Sequence, residues 1–391
     1  MYLDSALAGV AALLTTTTVA TQYVAQTSAA KVSGKVFDRM AVIWLENTNY
    51  DKAAGDPSLQ YLAKKGITLS SYYGVTHPSE PNYVAAIGGD YFGMNNDDHN
   101  NVPKNISSIV DLLEAKGISW ASYQEDMPYT GYQDTEYDNP RTGANMYVRK
   151  HNPCVIYDSV ATQPSRLNLI KNLTLFQNDL KANALPQWMF ITPNMTSDGH
   201  DSSVTTAGTW TRNFVEPLLS NSNFMNKTLV LITFDENHDY TQPNKVLGIL
   251  LGDVIPSSLV GTTDSTFYDH YSEISTVEAN WGLDTLGRFD VGANVFKFVA
   301  DVVGEKVRSW GSTSGSVALS NMYFNQSYAG PFNSKYKNGG WAVPNVDAEY
   351  AGRTVLQKIK DAWSSASGNK IYTTNLEIPD GQHPPKGFEP K

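Results

Sequence analysis

The sequence predicts an α/β protein with a mainly parallel central sheet and helices on both faces. Two observations predict it. Short apolar runs alternate with segments of helical period, and Gly or Pro punctuates the joins. Polar residues able to do chemistry then follow several of the apolar runs, as expected where parallel strands end at a ligand site. The 391 residues suffice for one large α/β domain or two small ones. A hydrophobic content of 41% with 11% aromatics is ordinary for a globular protein and argues against disorder. The net charge of −10 argues against a non-specific nucleic-acid binder. It leaves room for a phosphate substrate, because a bound metal reverses the local field.

The elements follow in order. "MAVIWLE" (40–46) is a short buried strand, and "PSLQYLAKKG" (57–66) a helix closed by Gly66. "ITLSSYYGV" (67–75), β-branched and aromatic, is a strand. "SEPNYVAAIGG" (79–89) is a helix with Ser as cap, an early Pro and a closing Gly-Gly. "SSIVDLLEAKG" (107–117) is an amphipathic helix before the strand "ISWASYQ" (118–124), and a Tyr/Asp/Asn-rich loop fills 126–147. Helical period returns over 165–183, then "QWMFIT" (187–192) reads as a strand and 208–221 as a helix. "TLVLITF" (228–234) and "VLGILLG" (246–252) are strands, and 272–282 and 291–303 helices. Past residue 306 the text turns rich in Gly, Ser, Asn and Tyr. One helix is expected there, over 348–363, and an extended surface tail over 378–391.

Residues 1–30 lack Lys and Arg and hold the apolar stretch "ALAGVAALL" (6–14), with small residues in "TSAAK" (27–31). A cleaved leader, hence a secreted protein, is the expectation; the absent basic start and Asp4 leave a disordered tail as the alternative. Sequons begin at Asn105, Asn172, Asn226 and Asn325, which agrees with a secreted glycoprotein. Cys154 is the only cysteine, so an intrachain disulfide is excluded. No later segment reaches the roughly 20 apolar residues of a membrane span.

Strand ends supply the candidate site. Glu46 and Asn47 follow the first strand, and Asp235 and Glu236 follow "TLVLITF". Adjacent carboxylates at a buried strand end repel unless a cation lies between them. Together the four form an all-oxygen set suited to Mg²⁺, Ca²⁺ or Mn²⁺, or to Zn²⁺ if His200 or His270 joins. The plain alternative is that strand ends turn polar as they reach solvent. Ser79, in "THPSEPNY" (76–83), stands at a helix start, where phosphate binds well. It is either a nucleophile or an ordinary cap. In "RKHNP" (149–153), Lys150 and His151 hold an anionic oxygen or form a solvated basic turn. In "DGHDS" (198–202), Asp198 and His200 are an acid–base pair or an Asp-Gly turn.

Six blocks, taken in order, carry a resemblance: "WLENTNY", "THPSEPNYVAAIGGD", "KHNP", "TPNMTSDGHD", "LVLITFDEN" and "DHYSEISTVEANWGLDTLGR". They resemble the phosphoesterase family of bacterial phospholipases C and secreted acid phosphatases, most nearly its fungal phosphate-repressible members, over residues 36–300. The resemblance implies an alkaline-phosphatase-like fold, with a catalytic domain at 36–305 and a C-terminal extension at 306–391. It implies a divalent metal on Glu46, Asn47, Asp235 and Glu236, and Ser79 as nucleophile. It places His151, His200 and Asp198 at the phosphoryl group, with Asn194, Lys150, His77 and His270 around the same pocket. The implied reaction is hydrolysis of small phosphate monoesters through a phosphoserine. A phosphodiesterase or phospholipase C is the second reading, and a non-catalytic metal- or phosphate-binding protein the third.

Overall fold

The structure, a computed structural model, describes residues 31–307, 326–335, 340–372 and 389–390. The expected leader and most of the expected tail lie outside the described residues. Eleven strands concern the site and its surroundings. In chain order they are β1 (Arg39–Leu45), β2 (Ile67–Tyr73), β3 (Trp120–Gln124), β4 (Glu136–Asp138), β5 (Asn145–Val148) and β6 (Ile170–Asn172). β7 (Trp188–Thr192), β8 (Thr228–Phe234), β9 (Lys245–Leu251), β10 (Thr262–Asp264) and β11 (Tyr268–Asp269) follow. Nine form one sheet in the order β10-β2-β9-β8-β1-β7-β3-β6, with β11 also on β2. β9 runs antiparallel to both neighbours, and the remaining pairings are parallel. The mainly parallel sheet expected from the sequence is what forms.

Every residue of β1 and β8 is buried. Both faces are therefore covered, which is why these strands read as unbroken apolar runs and not as alternation. Two helical groups do the covering. Pro57–Ala63 packs on Val204–Val215, and Tyr271–Trp281 packs on Ser79–Gly88 and on Lys297–Val303. β1 lies centrally, with the next strands β2 and β3 on opposite sides of it. A crevice opens at the carboxyl ends of strands where order reverses in this way.

Several expected elements are corrected. The helix over 165–183 is interrupted, because Ile170–Asn172 forms the edge strand β6 along β3, with Ser122 opposite Ile170. The helix over 291–303 splits into Phe289–Gly292 and Lys297–Val303. Between them the Asn294 amide bonds the Phe267 carbonyl and the Phe296 N–H bonds Thr276 Oγ1. Over 348–363 the first half is a hairpin, Glu349–Tyr350 against Arg353–Thr354. Its turn residues Ala351 and Gly352 both have positive φ, the geometry that hairpins favour. Only Gln357–Trp363 is helical there. The loop over 126–147 contains the hairpin β4–β5, and β10 and β11 are too short for periodicity to reveal.

Candidate active site

β1 and β8 are adjacent and parallel, with Leu45 opposite Phe234. Glu46 and Asp235 therefore leave the sheet side by side, and the Asp235 N–H donates to the Leu45 carbonyl at 3.0 Å. The Glu46 N–H donates to the Asp198 carbonyl at 3.0 Å, which brings in the turn after β7. β2 reaches the same rim through residues 74–78. Asn82 shapes this segment: its Oδ1 accepts from the N–H groups of Val75 and Thr76, and its amide donates to the carbonyls of Thr76 and Pro78. Gly74 must lack a side chain, because a Cβ would sit 2.8 Å from the Asp235 carbonyl. Ser79 is the first residue of its helix and Pro78 the cap, one residue earlier than the sequence implied.

Ser79 Oγ lies 3.4 Å from Glu46 Oε2, 3.5 Å from Asn47 Oδ1 and 3.5 Å from Glu236 Oε1. Ser79, Glu46, Asp235 and Glu236 are all buried. Burial pushes the Glu46 carboxyl up to about 7, against the pull of Lys150 and the Tyr83 hydroxyl. Burial, then the charges of Glu46 and Glu236, drive Asp235 well above the usual carboxylate range. Neither Asp235 carboxylate oxygen has a donor in hydrogen-bonding geometry; Ser79 and the Glu236 N–H lie near enough to favour ionisation slightly. Buried polar oxygens are normally paired. This unpaired acid among other acids, with the Asn47 amide oxygen, fits a hard divalent cation. Glu46, Asn47, Asp235 and Glu236 are the residues that would hold it.

A second group adjoins the first through Glu46. His151 Nε2 lies 3.1 Å from Glu46 Oε1, and His151 Nδ1 lies 3.7 Å from Asp198 Oδ2. Glu46, His151 and Asp198 are close enough to share one ion. Burial, followed by the Lys150 charge, holds His151 well below its ordinary value, so it is neutral; burial and Glu46 raise Asp198. His200 is exposed at the rim, its ring 6.1 Å from that of His151 and its Nδ1 2.9 Å from Asp201.

The other candidates lie around this centre or behind it. His77 Nδ1 meets Glu236 Oε2 at 2.5 Å, so it backs a carboxylate. The Lys150 ammonium donates to Asp97 Oδ2 at 2.8 Å. His270 is fully buried behind the strand end, its Nε2 2.6 Å from the Asp235 carbonyl and its Nδ1 3.4 Å from the Tyr72 hydroxyl. Asn194 turns its amide to Asp126 Oδ2 at 2.6 Å and its Oδ1 to Thr196. Those bonds shape the turn after β7.

Two aromatic residues complete the centre and were not singled out in the sequence. The Tyr83 hydroxyl donates to Glu46 Oε1 at 2.5 Å, and its ring stacks on His151. It follows Ser79 by four residues, so helical spacing alone puts both on one face. The Tyr240 hydroxyl donates to Glu236 Oε1 at 3.2 Å, and its ring stacks on His77 at 3.8 Å. Nothing in the polar text around Tyr240 marks it.

Oxygen donors gathered at strand ends, with a buried serine at a helix start, define the class, and the chain belongs to it. The Phosphoesterase family model matches residues 54–284, and the chain is a member of that family. It is 48% identical over 344 residues to a phosphate-repressible acid phosphatase of Penicillium chrysogenum, covering 88% of this chain and 81% of that one. It is 49% identical over 342 residues to a probable acid phosphatase of Kluyveromyces lactis, covering 87% and 79%. A solved structure of a Vibrio parahaemolyticus protein in the alkaline phosphatase superfamily aligns with TM-score 0.41 at 10% identity. That alignment covers 63% of this chain and 66% of that one, a likeness too weak to carry an argument.

Proposed function

We propose that the chain is a metal-dependent acid phosphatase that hydrolyses small phosphate monoesters, with Ser79 as nucleophile and a phosphoserine intermediate. One observation carries the reading: Ser79 Oγ, at a helix start, faces oxygens of Glu46, Asn47 and Glu236 at 3.4 to 3.5 Å, beside the unpaired Asp235. The similarity to fungal acid phosphatases supports it. A divalent cation there supplies charge that favours the serine alkoxide and offsets phosphoryl charge. Ser79 Oγ attacks phosphorus in line, and the bond from phosphorus to the leaving oxygen breaks. In the first helical turn Glu80 gives its N–H to Asp97 and Pro81 has none, so the Ser79 N–H is the one that would face a phosphoryl oxygen. His151, neutral and stacked on Tyr83, offers a ring N–H to one of them. His200, exposed at the rim, protonates the leaving alcohol. In the second step it takes a proton from the water that attacks the phosphoserine, which releases phosphate and restores Ser79.

Purified protein assayed on p-nitrophenyl phosphate and on its bis ester, with and without a chelator, tests this. Monoester hydrolysis lost on chelation is expected. Absence of monoester hydrolysis overturns the reading, and faster diester hydrolysis favours a phosphodiesterase. Secretion belongs to the same proposal, and the exposed sequon residues Asn105 and Asn226 agree with it.

A further inference from the structure

Asp97 lies in a polar loop that the site described above does not use. Its Oδ1 accepts the Glu80 backbone N–H at 2.9 Å. Glu80 is the second residue of the helix that Ser79 begins, so Asp97 caps the nucleophile's own helix from outside the chain's local turn. Its other oxygen, Oδ2, accepts from the Lys150 ammonium at 2.8 Å. Lys150 comes from a separate segment, between β5 and residue 151, and its charge acts on both Glu46 and Asp235. One carboxylate thus ties the serine's helix to the cation that faces the site's acids.

We propose that Asp97 is a positioning residue: it holds the Lys150 ammonium in register with Ser79, so that Lys150 meets a phosphoryl oxygen of the bound substrate. This rests on the acid phosphatase reading. A lysine ammonium is a mobile point charge on a flexible stem, so its placement needs a partner. The Lys150 and Asp97 side chains are 21% and 27% exposed. A pair this far buried is only partly screened, so its loss costs some stability as well. Substrate affinity is therefore the readout that separates positioning from a purely structural role.

The test is a double-mutant cycle on the full chain with its metal, using inorganic phosphate as competitive inhibitor and p-nitrophenyl phosphate as substrate. Asp97→Asn keeps an acceptor for the Glu80 N–H and removes the charge. It is expected to raise the phosphate Ki and the KM about 10-fold, the scale of one charge-assisted bond, with kcat within about 3-fold. Lys150→Gln should do the same, and the double variant should be no more than about 2-fold worse than either single. Asp97→Glu, which keeps the charge, should recover most of the affinity. An unchanged phosphate Ki in Asp97→Asn overturns the inference. So do single effects that multiply in the double variant, or equal impairment by Asn and Glu. Should Asp97→Asn fail to fold, Asp97→Ser serves the same comparison. If the wild type itself does not hydrolyse the monoester, the functional reading has failed. An active wild type with an unimpaired Asp97→Asn sinks this inference alone.

Discussion

Asp90 and Asp235 are both fully buried aspartates, one beyond the end of the helix Ser79–Gly88 and the other beside its start, yet the fold treats them in opposite ways. Asp90 Oδ2 accepts from the hydroxyls of Tyr328 and Tyr372, and Oδ1 accepts from the Phe92 N–H. Arg288 stands close by, bonded to the Gly88 carbonyl at 2.5 Å. Burial raises the Asp90 carboxyl, and the Tyr328 and Tyr372 donors pull it back. Asp235 has no donor on either oxygen and two acids nearby. A buried acid supplied with donors by its own chain is structural. A buried acid left without them, at a strand end beside other acids, is a candidate binding position.

The comparison can be broken or sharpened by substitution. The largest effect is expected from Ser79→Ala, which should lower kcat by at least about 10³-fold while the fold survives. A residual rate above a tenth of wild type, measured on the monoester, removes Ser79 from the nucleophile's role.

Asp235→Asn and Asp90→Asn should next move in opposite directions. At Asp235 the change removes repulsion, so the metal-free protein should melt no lower than wild type while bound metal and activity fall. At Asp90 it replaces an acceptor for two tyrosines by an amide donor, and should cost about 1–3 kcal/mol of stability. Calorimetry with elemental analysis decides; destabilisation of the metal-free protein by both variants would remove the contrast.

The smallest effect concerns Glu273, a buried acid of the donor-supplied kind, bonded by Trp44 Nε1 at 2.9 Å and the Tyr72 hydroxyl at 2.7 Å. Burial still pushes its carboxyl up to about 8, and its neighbour His270 is lowered to about 3 and stays neutral. Between about pH 4.3, the unfolded value, and pH 8 the native state holds a proton that the unfolded chain has lost. Stability from this group is therefore undiminished below that window and falls as pH rises through it. Glu273→Gln keeps an acceptor for both donors. It should match wild type near pH 4.5 and melt about 2 °C higher near pH 8. Parallel melting curves across the range would show that Glu273 does not titrate there.

What was legible in the sequence follows from what each signal measures. The strands β1, β7 and β8 were readable because burial on both faces writes a continuous apolar run. Acids placed just past such runs identify a rim, which is how Glu46 and Asp235 could be paired from segments far apart in the chain. Helical period failed where tertiary pairing overrode it. Ile170–Asn172 fits the edge of β3, and the Ala351-Gly352 turn redirects what looked like a helix start. Side-chain direction was out of reach. Asn194 and His270 follow strand ends as His151 does, but their hydrogen bonds turn them to a loop and to the underside of Asp235. Asp97 and Tyr240 sit in polar loops whose paths depend on distant segments.

Strand β9, the one antiparallel member of the nine-stranded sheet, has a consequence for how this site can diversify. Because β9 returns directly beside β8, residues 235–244 form a hairpin connection and not the entry to a crossover helix. Both legs are interior strands, and Asn244 bonds the Gly74 N–H and the Thr76 carbonyl to close the base. Insertions near Tyr240 would therefore lengthen a connection whose two ends the strands hold, changing what covers His77 and Glu236 while the backbone that presents Asp235 keeps its place.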